Sequence, residues 1–471
     1  MSIRFESLSF TYSEERRDTL ADFNAEFRTD RITILTGPSG CGKSTLLYLA
    51  AGIYPHNAGV LRGGRVTVAG EDPAALPPQK RCALVGMMFQ NPELQFCMDT
   101  VRNELIFCLE NIAAPVESFE SKIREALAFC EIPHLEHRTL NSLSGGERQK
   151  AMLACLTIIN PKWLLLDEPF ANIDEASALH IAQKLRQLHD ERGTGVLAVD
   201  HRLDHWMGIA DSICVFRDGR ILEDEIDPKH PDCAQLERLG VIAPGVSYHP
   251  EIPECNPGEA VLTLEHLSLK HGDEAILEDV NASFASGKIY AIVGESGCGK
   301  SSLFGALSGL YKYDGAARLG DRDVRRLKKK ELGSIGFVTQ SPQDQFVADT
   351  VRQEILLSLR GQPDAMEQSE VILRRIGLWA YRDVSAYILS QGQQRRLGVA
   401  ALLAYPCRVL VCDEPTYAQD RANTIELMRS LCSAARERRI ALIFSTHDRQ
   451  LARDYADEIL ELKGGRLHEV H

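Results

Sequence analysis

No stretch of the sequence is apolar over the ~18 residues that a membrane-spanning helix needs, and the first six residues lack the apolar core of a signal peptide. The thirteen cysteines include no C-x-x-C pair. An odd number of scattered cysteines is typical of reduced thiols and argues against a disulfide framework or a zinc site. We therefore expect a cytosolic chain that reaches a membrane through a partner.

Positive charge is also scarce. The 53 Lys and Arg residues stand against 66 Asp and Glu residues, which gives a formal net charge of −13. This balance argues against a protein that grips phosphates through its overall charge, so we expect no nucleic-acid partner. With 471 residues, 44% of them hydrophobic, the chain can form two large or three ordinary domains with sizeable cores.

The chain contains an internal repeat. The segment G-P-S-G-C-G-K-S-T at residues 37–45 returns as G-E-S-G-C-G-K-S-S at residues 294–302. Three further pairs follow in the same order: L-S-G-G-E at 143–147 with L-S-Q-G-Q at 389–393, L-D-E-P at 166–169 with C-D-E-P at 412–415, and His201 with His447. The sequence therefore predicts two copies of one domain.

A stretch of different composition separates the copies. Residues 223–260 hold six prolines, and nine acidic residues against two basic ones. Proline at this density interrupts helices and strands. We predict an acidic, proline-rich linker over residues 226–259, with one short helical turn around Cys233 to Leu239. The first domain then spans residues 1–225 and the second spans residues 260–471.

Each copy has an α/β pattern. A β-branched run at 31–36 ends at a glycine loop and precedes a helical stretch at 43–51. Short apolar runs at 163–166, 195–199, 409–412 and 440–444 are typical of strands buried in a parallel sheet. Amphipathic stretches such as 177–192 separate these runs, which predicts right-handed helical crossovers over a mostly parallel sheet.

The repeated glycine-rich segment matches G-x-x-x-x-G-K-[ST], a phosphate-binding loop between a strand and a helix. Backbone N–H groups and the helix N-terminus surround a β-phosphate, the lysine bridges the β- and γ-phosphates, and the next hydroxyl binds Mg²⁺. The predicted phosphate-binding residues are Gly37, Pro38, Ser39, Gly40, Cys41, Gly42, Lys43, Ser44 and Thr45 in the first copy, and Gly294, Glu295, Ser296, Gly297, Cys298, Gly299, Lys300, Ser301 and Ser302 in the second.

An Asp-Glu pair follows an apolar strand in each copy, as Asp167-Glu168 and Asp413-Glu414. Such a strand presents its carboxylates at the C-terminal edge of the sheet, where open α/β sheets bind ligands. We expect Asp167 and Asp413 to hold Mg²⁺ through its water shell. We expect Glu168 and Glu414 to accept a proton from the attacking water.

The sequence L-S-G-G-E between the phosphate loop and the Asp-Glu strand resembles the signature motif of ABC-type ATPases, and the resemblance extends over nearly the whole chain, twice. It implies an α/β P-loop NTPase fold with two tandem ABC nucleotide-binding domains. Each domain is expected to have a RecA-like core, an antiparallel β subdomain and a helical signature subdomain. Ser144 should cap a helix running to Ile159, with Gly145 and Gly146 allowing close backbone approach.

The resemblance also assigns roles to other residues. Gln90 and Gln340 match the Q-loop, which senses the γ-phosphate and Mg²⁺, and His201 and His447 match the switch histidine. Asp174 and Asp420 match the D-loop aspartate. In this family each signature motif contacts the nucleotide held by the opposite domain, so we expect two ATP sites in an intramolecular pseudo-dimer. The first site would use Ser390, Gln391, Gly392 and Gln393; the second would use Ser144, Gly145, Gly146 and Glu147.

Two of the differences between the copies bear on nucleotide binding and on closure of the sites. Tyr12 stands where the family has an aromatic residue that stacks on adenine, and its counterpart is His271. Because an imidazole offers a smaller stacking face, we predict weaker nucleotide binding at the second site. Gln391 replaces a signature glycine and affects the closure of the first site. Both glutamates and both switch histidines are present, which predicts two hydrolytic sites.

The segment Q-x-P-x-x-Q-F-x-x-D-T-V-R-x-E follows each Q-loop, at 90–104 and 340–354. It resembles the ATPases of energy-coupling factor importers of vitamins and transition-metal ions. That resemblance implies a transmembrane scaffold, a solute-binding membrane subunit and a peripheral position on the cytoplasmic face of the membrane. The carboxylates Glu93, Asp99, Glu104, Asp344, Asp349 and Glu354 could receive arginines of the scaffold, or could form a solvated acidic face.

Two other classes of tandem ABC protein are alternatives. Those that act on ribosomes use a basic helical tether between domains, whereas this linker is acidic and broken by prolines. Tandem sugar-importer ATPases usually have one decayed site, whereas both sites are intact here. The energy-coupling factor class is therefore favoured, while the transported solute cannot be read from this subunit.

Overall fold

The computed structural model describes the chain except for residues 13–17, 172, 174, 273, 296, 328–333, 340–344, 390, 417, 418 and 471 and the side chains of Glu274 and Gln391. The chain divides into two compact units, Met1–Val246 and Ser247–His471, so the boundary lies inside the segment predicted as a linker. Within the described ranges, no helix combines the length and the apolar character needed to cross a bilayer.

The first unit contains two sheets and a group of helices. Its strands are β1 Ser2–Thr11, β2 Leu20–Arg28, β3 Ile32–Thr36, β4 Val60–Val68, β5 Val85–Met88, β6 Trp163–Asp167, β7 Gly195–Val199, β8 Ser212–Arg217 and β9 Arg220–Ile226. Its helices are α1 Lys43–Ala50, α2 Pro78–Leu84, α3 Val101–Asn111, α4 Phe119–Phe129, α5 Gly145–Ile159, α6 Glu175–Arg192 and α7 Cys233–Arg238.

The second unit has a similar, though not identical, order of elements. Its strands are β10 Ala260–His271, β11 Glu274–Ala285, β12 Ile289–Val293, β13 Asp314–Leu319, β14 Arg322–Asp323, β15 Ile335–Val338, β16 Val409–Cys412, β17 Ala441–Ser445, β18 Glu458–Lys463 and β19 Arg466–Val470. Its helices are α8 Lys300–Ser308, α9 Val351–Ser358, α10 Ala365–Arg375, α11 Gln391–Ala404, α12 Arg421–Glu437 and α13 Arg449–Tyr455.

The six-stranded sheet has the same topology in both units. The first unit has a six-stranded sheet in the order β5-β6-β7-β3-β8-β9, and the second has β15-β16-β17-β12-β18-β19. All neighbours in these sheets are parallel except the last pair, β8-β9 or β18-β19. A smaller antiparallel sheet, β2-β1-β4 or β11-β10-β13-β14, accompanies each. The predicted α/β fold with a parallel core and an antiparallel subdomain is confirmed.

The parallel strands are buried on both faces, which explains their continuous apolar sequences. In β6, Leu164 and Leu166 pack into one core, whereas Trp163 and Leu165 pack into the core on the opposite face. The predicted strand at 195–199 is β7, and the predicted strand at 409–412 is β16. The predicted helix at 177–192 is α6, which begins two residues earlier.

The segment that joins the two repeats contains buried residues on each side of the unit boundary. A helical turn was predicted around Cys233 to Leu239, and α7 is present at Cys233–Arg238 with Asp232 as its N-cap. Val241 and Val246 are buried in the core of the first unit. Tyr248 is buried in a core of the second unit.

Candidate active sites

The first phosphate loop follows β3 and ends at the N-terminus of α1. Gly37 has no room for a side chain, because a Cβ atom there would lie 1.9 Å from the carbonyl oxygen of Phe216. Gly42 is the N-cap of α1 and has φ 104°, a left-handed conformation that disfavours other residues. The loop therefore requires glycine at position 37 because of steric contact, and favours it at position 42 because of the left-handed backbone.

Each phosphate-loop lysine is buried and held by the loop itself. The Lys43 ammonium donates to the carbonyl oxygens of Gly37 (2.9 Å) and Pro38 (2.7 Å). Lys300 makes the equivalent bonds to Gly294 (2.8 Å) and Glu295 (2.9 Å). Each loop thus places a positive charge at an equivalent position beside the N-terminus of its own helix. The lysine charge and the helix N-terminus both favour an anionic ligand there.

Ser44 and Asp167 form a pair beside the first loop. The Ser44 hydroxyl donates to Asp167 Oδ1 at 2.9 Å. Burial, and then the negative charge of Glu168, raise the pKa of Asp167 to about 6. A hydroxyl and a carboxylate are both oxygen ligands for a divalent cation. Such a cation would also stabilise the charged form of a buried carboxylate whose pKa is raised. The donor set therefore fits Mg²⁺.

Glu168 lies at the centre of the first site. One carboxylate oxygen accepts a hydrogen bond from the Gln90 amide at 2.8 Å, and the other lies 3.2 Å from His201 Nε2. Burial alone would raise the pKa of Glu168, but the hydrogen bond and charge of His201, with Lys43 and Gln90, hold it below its ordinary value. The Glu168 carboxylate is therefore ionised near neutral pH, as a proton acceptor requires.

Both glutamates have a left-handed backbone, with φ 48° at Glu168 and φ 44° at Glu414. This conformation is uncommon for a residue with a side chain and is concentrated at functional sites. In the first unit, the Glu168 N–H donates to the carbonyl oxygen of Val199, at the end of β7. In the second, the Glu414 N–H donates to the Ser445 hydroxyl at 2.9 Å.

The second site differs in detail from the first. Ser445 supplies the hydroxyl that donates to Asp413 Oδ1, at 2.7 Å, while Ser301 is exposed. His447 Nδ1 lies 3.5 Å from Glu414, and its side chain is 52% exposed, against 10% for His201. Burial would raise the pKa of Glu414, but the hydrogen bond and charge of His447, with Lys300 and Arg395, lower it.

The first signature motif forms a helix start. Ser144 is the N-cap of α5, and its N–H and hydroxyl both donate to the Glu147 carboxylate, at 2.8 and 2.9 Å. The Glu147 N–H donates to the Ser144 hydroxyl in return, which completes a capping box. The prediction that Ser144 caps a helix from Gly145 to Ile159 is confirmed.

Several predicted site residues lie outside the described residues. These are Gln340, Ser296, Ser390, Asp174 and the side chain of Gln391. Gly392 and Gln393 lie in the first turn of α11, where a Cβ atom on Gly392 would stand 3.3 Å from the Gln419 amide. The roles assigned to the signature residues remain predictions.

The residues predicted to contact adenine lie in different surroundings. The Tyr12 ring packs edge-on against Phe10 and Tyr54, with ring centroids 5.3 and 5.9 Å apart, and its hydroxyl lies 2.8 Å from the Thr45 hydroxyl. His271 is exposed at the end of β10. Tyr12 is thus fixed against the phosphate loop, and its stacking on a base remains a prediction.

Two of the carboxylates predicted to receive a partner's arginines have a different role. Glu104 is buried and accepts hydrogen bonds from the backbone of Cys97 (2.9 Å) and Met98 (2.8 Å). Glu354 is also buried and accepts bonds from the backbone of residues 347 and 348. The interpretation as docking carboxylates is wrong for both, because their oxygens fix the segment that follows the Q-loop.

The other carboxylates of this group have mixed outcomes. Glu93 forms an ion pair with Arg148 on the signature helix α5. Asp99 is exposed and accepts a hydrogen bond from the Asn103 amide at 2.8 Å. Asp349 is also exposed, and Asp344 lies outside the described residues. Asp99 and Asp349 therefore remain open to the docking role.

Sequence reasoning missed Asp200, a buried carboxylate next to His201. Its oxygens accept hydrogen bonds from the indole of Trp206 (2.9 Å) and the backbone of Arg202 (3.0 Å). Burial, followed by the charge of Glu168, raises the pKa of Asp200 to about 7. Its position at the carboxyl end of β7, beside the Asp-Glu strand, was the signal that could have indicated it.

Arg395 was also missed. It is buried in α11, and its guanidinium donates to the backbone carbonyl of Glu414. It therefore connects the signature helix of the second unit to the Asp-Glu strand of the same unit.

Together, the fold and these sites define a P-loop NTPase with two nucleotide-binding units in one chain. The sequence profile of the ABC transporter family matches residues 20–171 and 277–417, which include both phosphate loops and both Asp-Glu strands. The chain belongs to this family. It is a tandem ABC ATPase, the ATP-binding subunit of an ABC transporter, and it couples ATP hydrolysis to transport.

Relatives extend over almost the whole chain. The ATP-binding protein YkoD of Bacillus subtilis, named for HMP/thiamine import, is 33% identical over 97% of this chain and 89% of its own length. An ABC transporter ATP-binding protein of Methanosarcina acetivorans is 28% identical over 99% of this chain and 85% of its own length.

Solved structures share the fold. An archaeal ABCE1, in a model of the ribosome-bound complex with Pelota, aligns with a TM-score of 0.70 at 18% identity, over 98% of this chain and 78% of that one. ABCE1 in complex with the archaeal ribosomal stalk protein aP1 aligns with a TM-score of 0.65 at 19% identity, over 95% and 87% of the two chains. At these identities the likeness concerns the fold alone.

Proposed function

We propose that the chain is the ATPase subunit of an energy-coupling factor type importer that takes up a vitamin, with HMP or thiamine as the first solutes to test. The observation that carries this proposal is the 33% identity to YkoD, named for HMP/thiamine import, over 97% of this chain. The repeated Q-x-P-x-x-Q segments after both Q-loops support it. A transition-metal ion is the second candidate solute, because importers of that class share these segments.

The proposed partners are a transmembrane scaffold and a solute-binding membrane subunit, which would place the chain on the cytoplasmic face of the membrane. Leu94 and Val347 support a docking surface after the Q-loops, because their side chains are 79% and 80% exposed although both are apolar. Met98 is a second exposed apolar residue in the first of these segments. Exposed apolar residues in both segments favour a protein contact.

In the proposed mechanism, Lys43 and Lys300 bind the β- and γ-phosphates, and the helix N-termini behind them add partial positive charge. Ser44, Asp167 and Gln90 would hold Mg²⁺ at the first site; Ser301, Asp413 and Gln340 would hold it at the second. The bound Mg²⁺ supplies charge neutralisation of the phosphate oxygens. Glu168 and Glu414 take the proton of the attacking water, while His201 and His447 contact the γ-phosphate.

We further propose that each phosphate loop works with the signature motif of the other repeat. This assignment rests on the sequence resemblance and on the presence of both motifs in both repeats. Ser144 caps the N-terminus of α5 through its capping box, and a helix N-terminus favours an anionic phosphate. The chain would then contain two complete sites.

Capture of the scaffold tests the proposed function. The tagged chain is expressed in its native host, and the membrane proteins that co-purify are identified. A chain carrying Leu94→Asp and Val347→Asp should lose the scaffold but keep its ATPase activity. Val116→Asp is the matched control, since Val116 is equally apolar and exposed but lies outside the two segments. Equal recovery of the scaffold by all three chains would contradict the docking surface.

The solute is tested separately. The captured complex is reconstituted in vesicles, and ATP-dependent uptake of labelled thiamine and HMP is measured beside uptake of Co²⁺ and Ni²⁺. Uptake of a vitamin supports the proposal. Uptake of a metal ion alone would assign the complex to the second candidate class.

A further inference from the structure

The segment that joins the two repeats is hydrogen-bonded to the loop after each switch histidine. Ile242 contacts the loop that contains His201, and Tyr248 contacts the loop that contains His447. Five residues of chain separate Ile242 from Tyr248. Each of these contacts lies within its own unit, and the covalent chain joins them.

The first anchor is a backbone pairing. Ile242 forms a parallel bridge with Arg202, and its carbonyl oxygen accepts a hydrogen bond from the Leu203 N–H at 3.1 Å. Leu203 and Trp206 are fully buried in the core that also contains Val241. The Trp206 indole donates to Asp200, which directly precedes His201. The core that holds the anchor is therefore connected to the switch histidine through Trp206 and Asp200.

The second anchor is a side-chain hydrogen bond. The Tyr248 hydroxyl donates to Asp448 Oδ2 at 2.7 Å, and both residues are buried. The other oxygen of Asp448 caps α13 by accepting from the Leu451 N–H. Asp448 follows His447 directly, so the tyrosine helps to fix the backbone that carries this histidine.

Two further contacts hold the segment at the second unit. The Tyr248 N–H and the Ser247 hydroxyl both donate to Asp454 Oδ2, at 2.6 and 2.9 Å. The Arg421 guanidinium lies over the Tyr248 ring, 5.2 Å from its centroid, and donates to the Ser247 carbonyl. Arg421 directly follows Asp420, which matches the D-loop aspartate, so the segment also contacts this part of the second unit.

We propose that residues 241–249 are a tie that couples the two switch-histidine loops, with Tyr248 as the positioning residue for His447. When one loop moves on binding or hydrolysis of ATP, the short segment transmits that movement to the other loop. The tie makes hydrolysis at the two sites cooperative. The inference rests on the proposed contact of His201 and His447 with the γ-phosphate.

The positioning role is tested with Tyr248→Phe, which keeps the buried ring and removes only the hydroxyl. We expect kcat for ATP hydrolysis to fall about fivefold, the effect of one net hydrogen bond, with KM unchanged. Tyr455→Phe is the matched control. Tyr455 is buried in the same core, its ring centroid lies 6.2 Å from that of Tyr248, and its hydroxyl has no hydrogen-bond partner among the described residues. A change in melting temperature without a change in kcat would overturn the positioning role.

The coupling is tested by inserting Gly-Ser-Gly-Ser between Gly245 and Val246, which leaves both anchors in place. We expect the Hill coefficient of ATP hydrolysis to lie above 1 in the unmodified chain and to fall to 1 after the insertion. A coefficient of 1 in the unmodified chain, or an unchanged coefficient after insertion, would overturn the tie.

His447→Ala separates this inference from the function on which it rests. Loss of hydrolysis in His447→Ala together with full activity in Tyr248→Phe would overturn the positioning role of Tyr248 and leave the role of the histidine intact. Full activity in His447→Ala would overturn the assigned role of the histidine and, with it, the tie.

Discussion

The Nε2 atom of His201 lies 3.2 Å from a carboxylate oxygen of Glu168 in the first unit. The Gln90 amide donates to the other oxygen of the same carboxylate. Two residues from separate parts of the chain, both matching ABC motifs, therefore meet at the Glu168 carboxylate. In the second unit, His447 lies 3.5 Å from Glu414, with a much more exposed ring.

Replacing Glu168 by Gln tests the proton acceptor at the first site. We expect hydrolysis at that site to fall by about 10²–10⁴, because Gln keeps the shape but cannot take the proton. Steady-state phosphate release by the whole chain should then fall well below about half of wild type, since one site of two remains and the two sites are coupled. Glu414→Gln should behave alike, and both variants should still bind ATP. A wild-type rate in either variant would contradict the assignment.

The buried Asp200 predicts a pH dependence of stability. Its pKa is raised from 3.8 to about 7 in the folded protein. The folded state therefore binds this proton more tightly, so the stability that the group contributes is present below about pH 4 and is lost as the pH rises through about 7. In urea unfolding, Asp200→Asn should gain stability relative to wild type between pH 4 and pH 8. Parallel curves for the two proteins would count against this prediction, and Asp204→Asn, at a half-buried aspartate nearby, is the control.

Ser144 is predicted to have a structural and a catalytic role. Ser144→Ala removes the N-cap of α5 and should lower the free energy of unfolding by about 1 kcal/mol. Its ATPase rate should fall roughly tenfold as well, because a hydrogen bond to phosphate is lost. Thr100→Ala removes a similar cap from α3 and should reduce stability alone. If the two variants lose stability alike and both keep full activity, Ser144 is a cap and no more.

Tyr12 is predicted to strengthen nucleotide binding at the first site. In a Lys300→Ala background, which disables the second site, Tyr12→Ala should raise the Kd of ATP between about twofold and tenfold, the value of one aromatic contact. Tyr12→Phe loses the bond to Thr45 but keeps the ring, so its affinity should stay close to wild type. Equal affinities in a fluorescent-nucleotide titration of all three chains would show that Tyr12 does not contact the base.

The parts of the fold and sites that depend on local sequence were predictable. The glycines of the phosphate loops, the capping Ser144 and the strands β7 and β16 follow from steric limits and periodicity, and all lie where the sequence indicated. The repeat made each motif assignment more specific, because the same motifs are not expected to recur by chance in the same order in both copies.

Properties that depend on distant neighbours were not predictable. The sequence shows Glu104 and Glu354 as acidic residues on a helix, and only the folded chain shows that each is buried on backbone N–H groups. Likewise, Asp167 is bonded by Ser44 but Asp413 by Ser445, because the hydroxyl comes from different elements in the two units. The proline-rich composition of the joining segment concealed its buried Val241 and Tyr248.

The number of ATP molecules bound per chain tests the central claim most directly. The chain with both Glu168→Gln and Glu414→Gln cannot turn over its nucleotide, and equilibrium dialysis with labelled ATP and Mg²⁺ gives the stoichiometry. Two working sites in one polypeptide predict two ATP molecules per chain, falling to one when Lys43→Ala or Lys300→Ala is added. A plateau at a single ATP in the double glutamine variant would contradict the account.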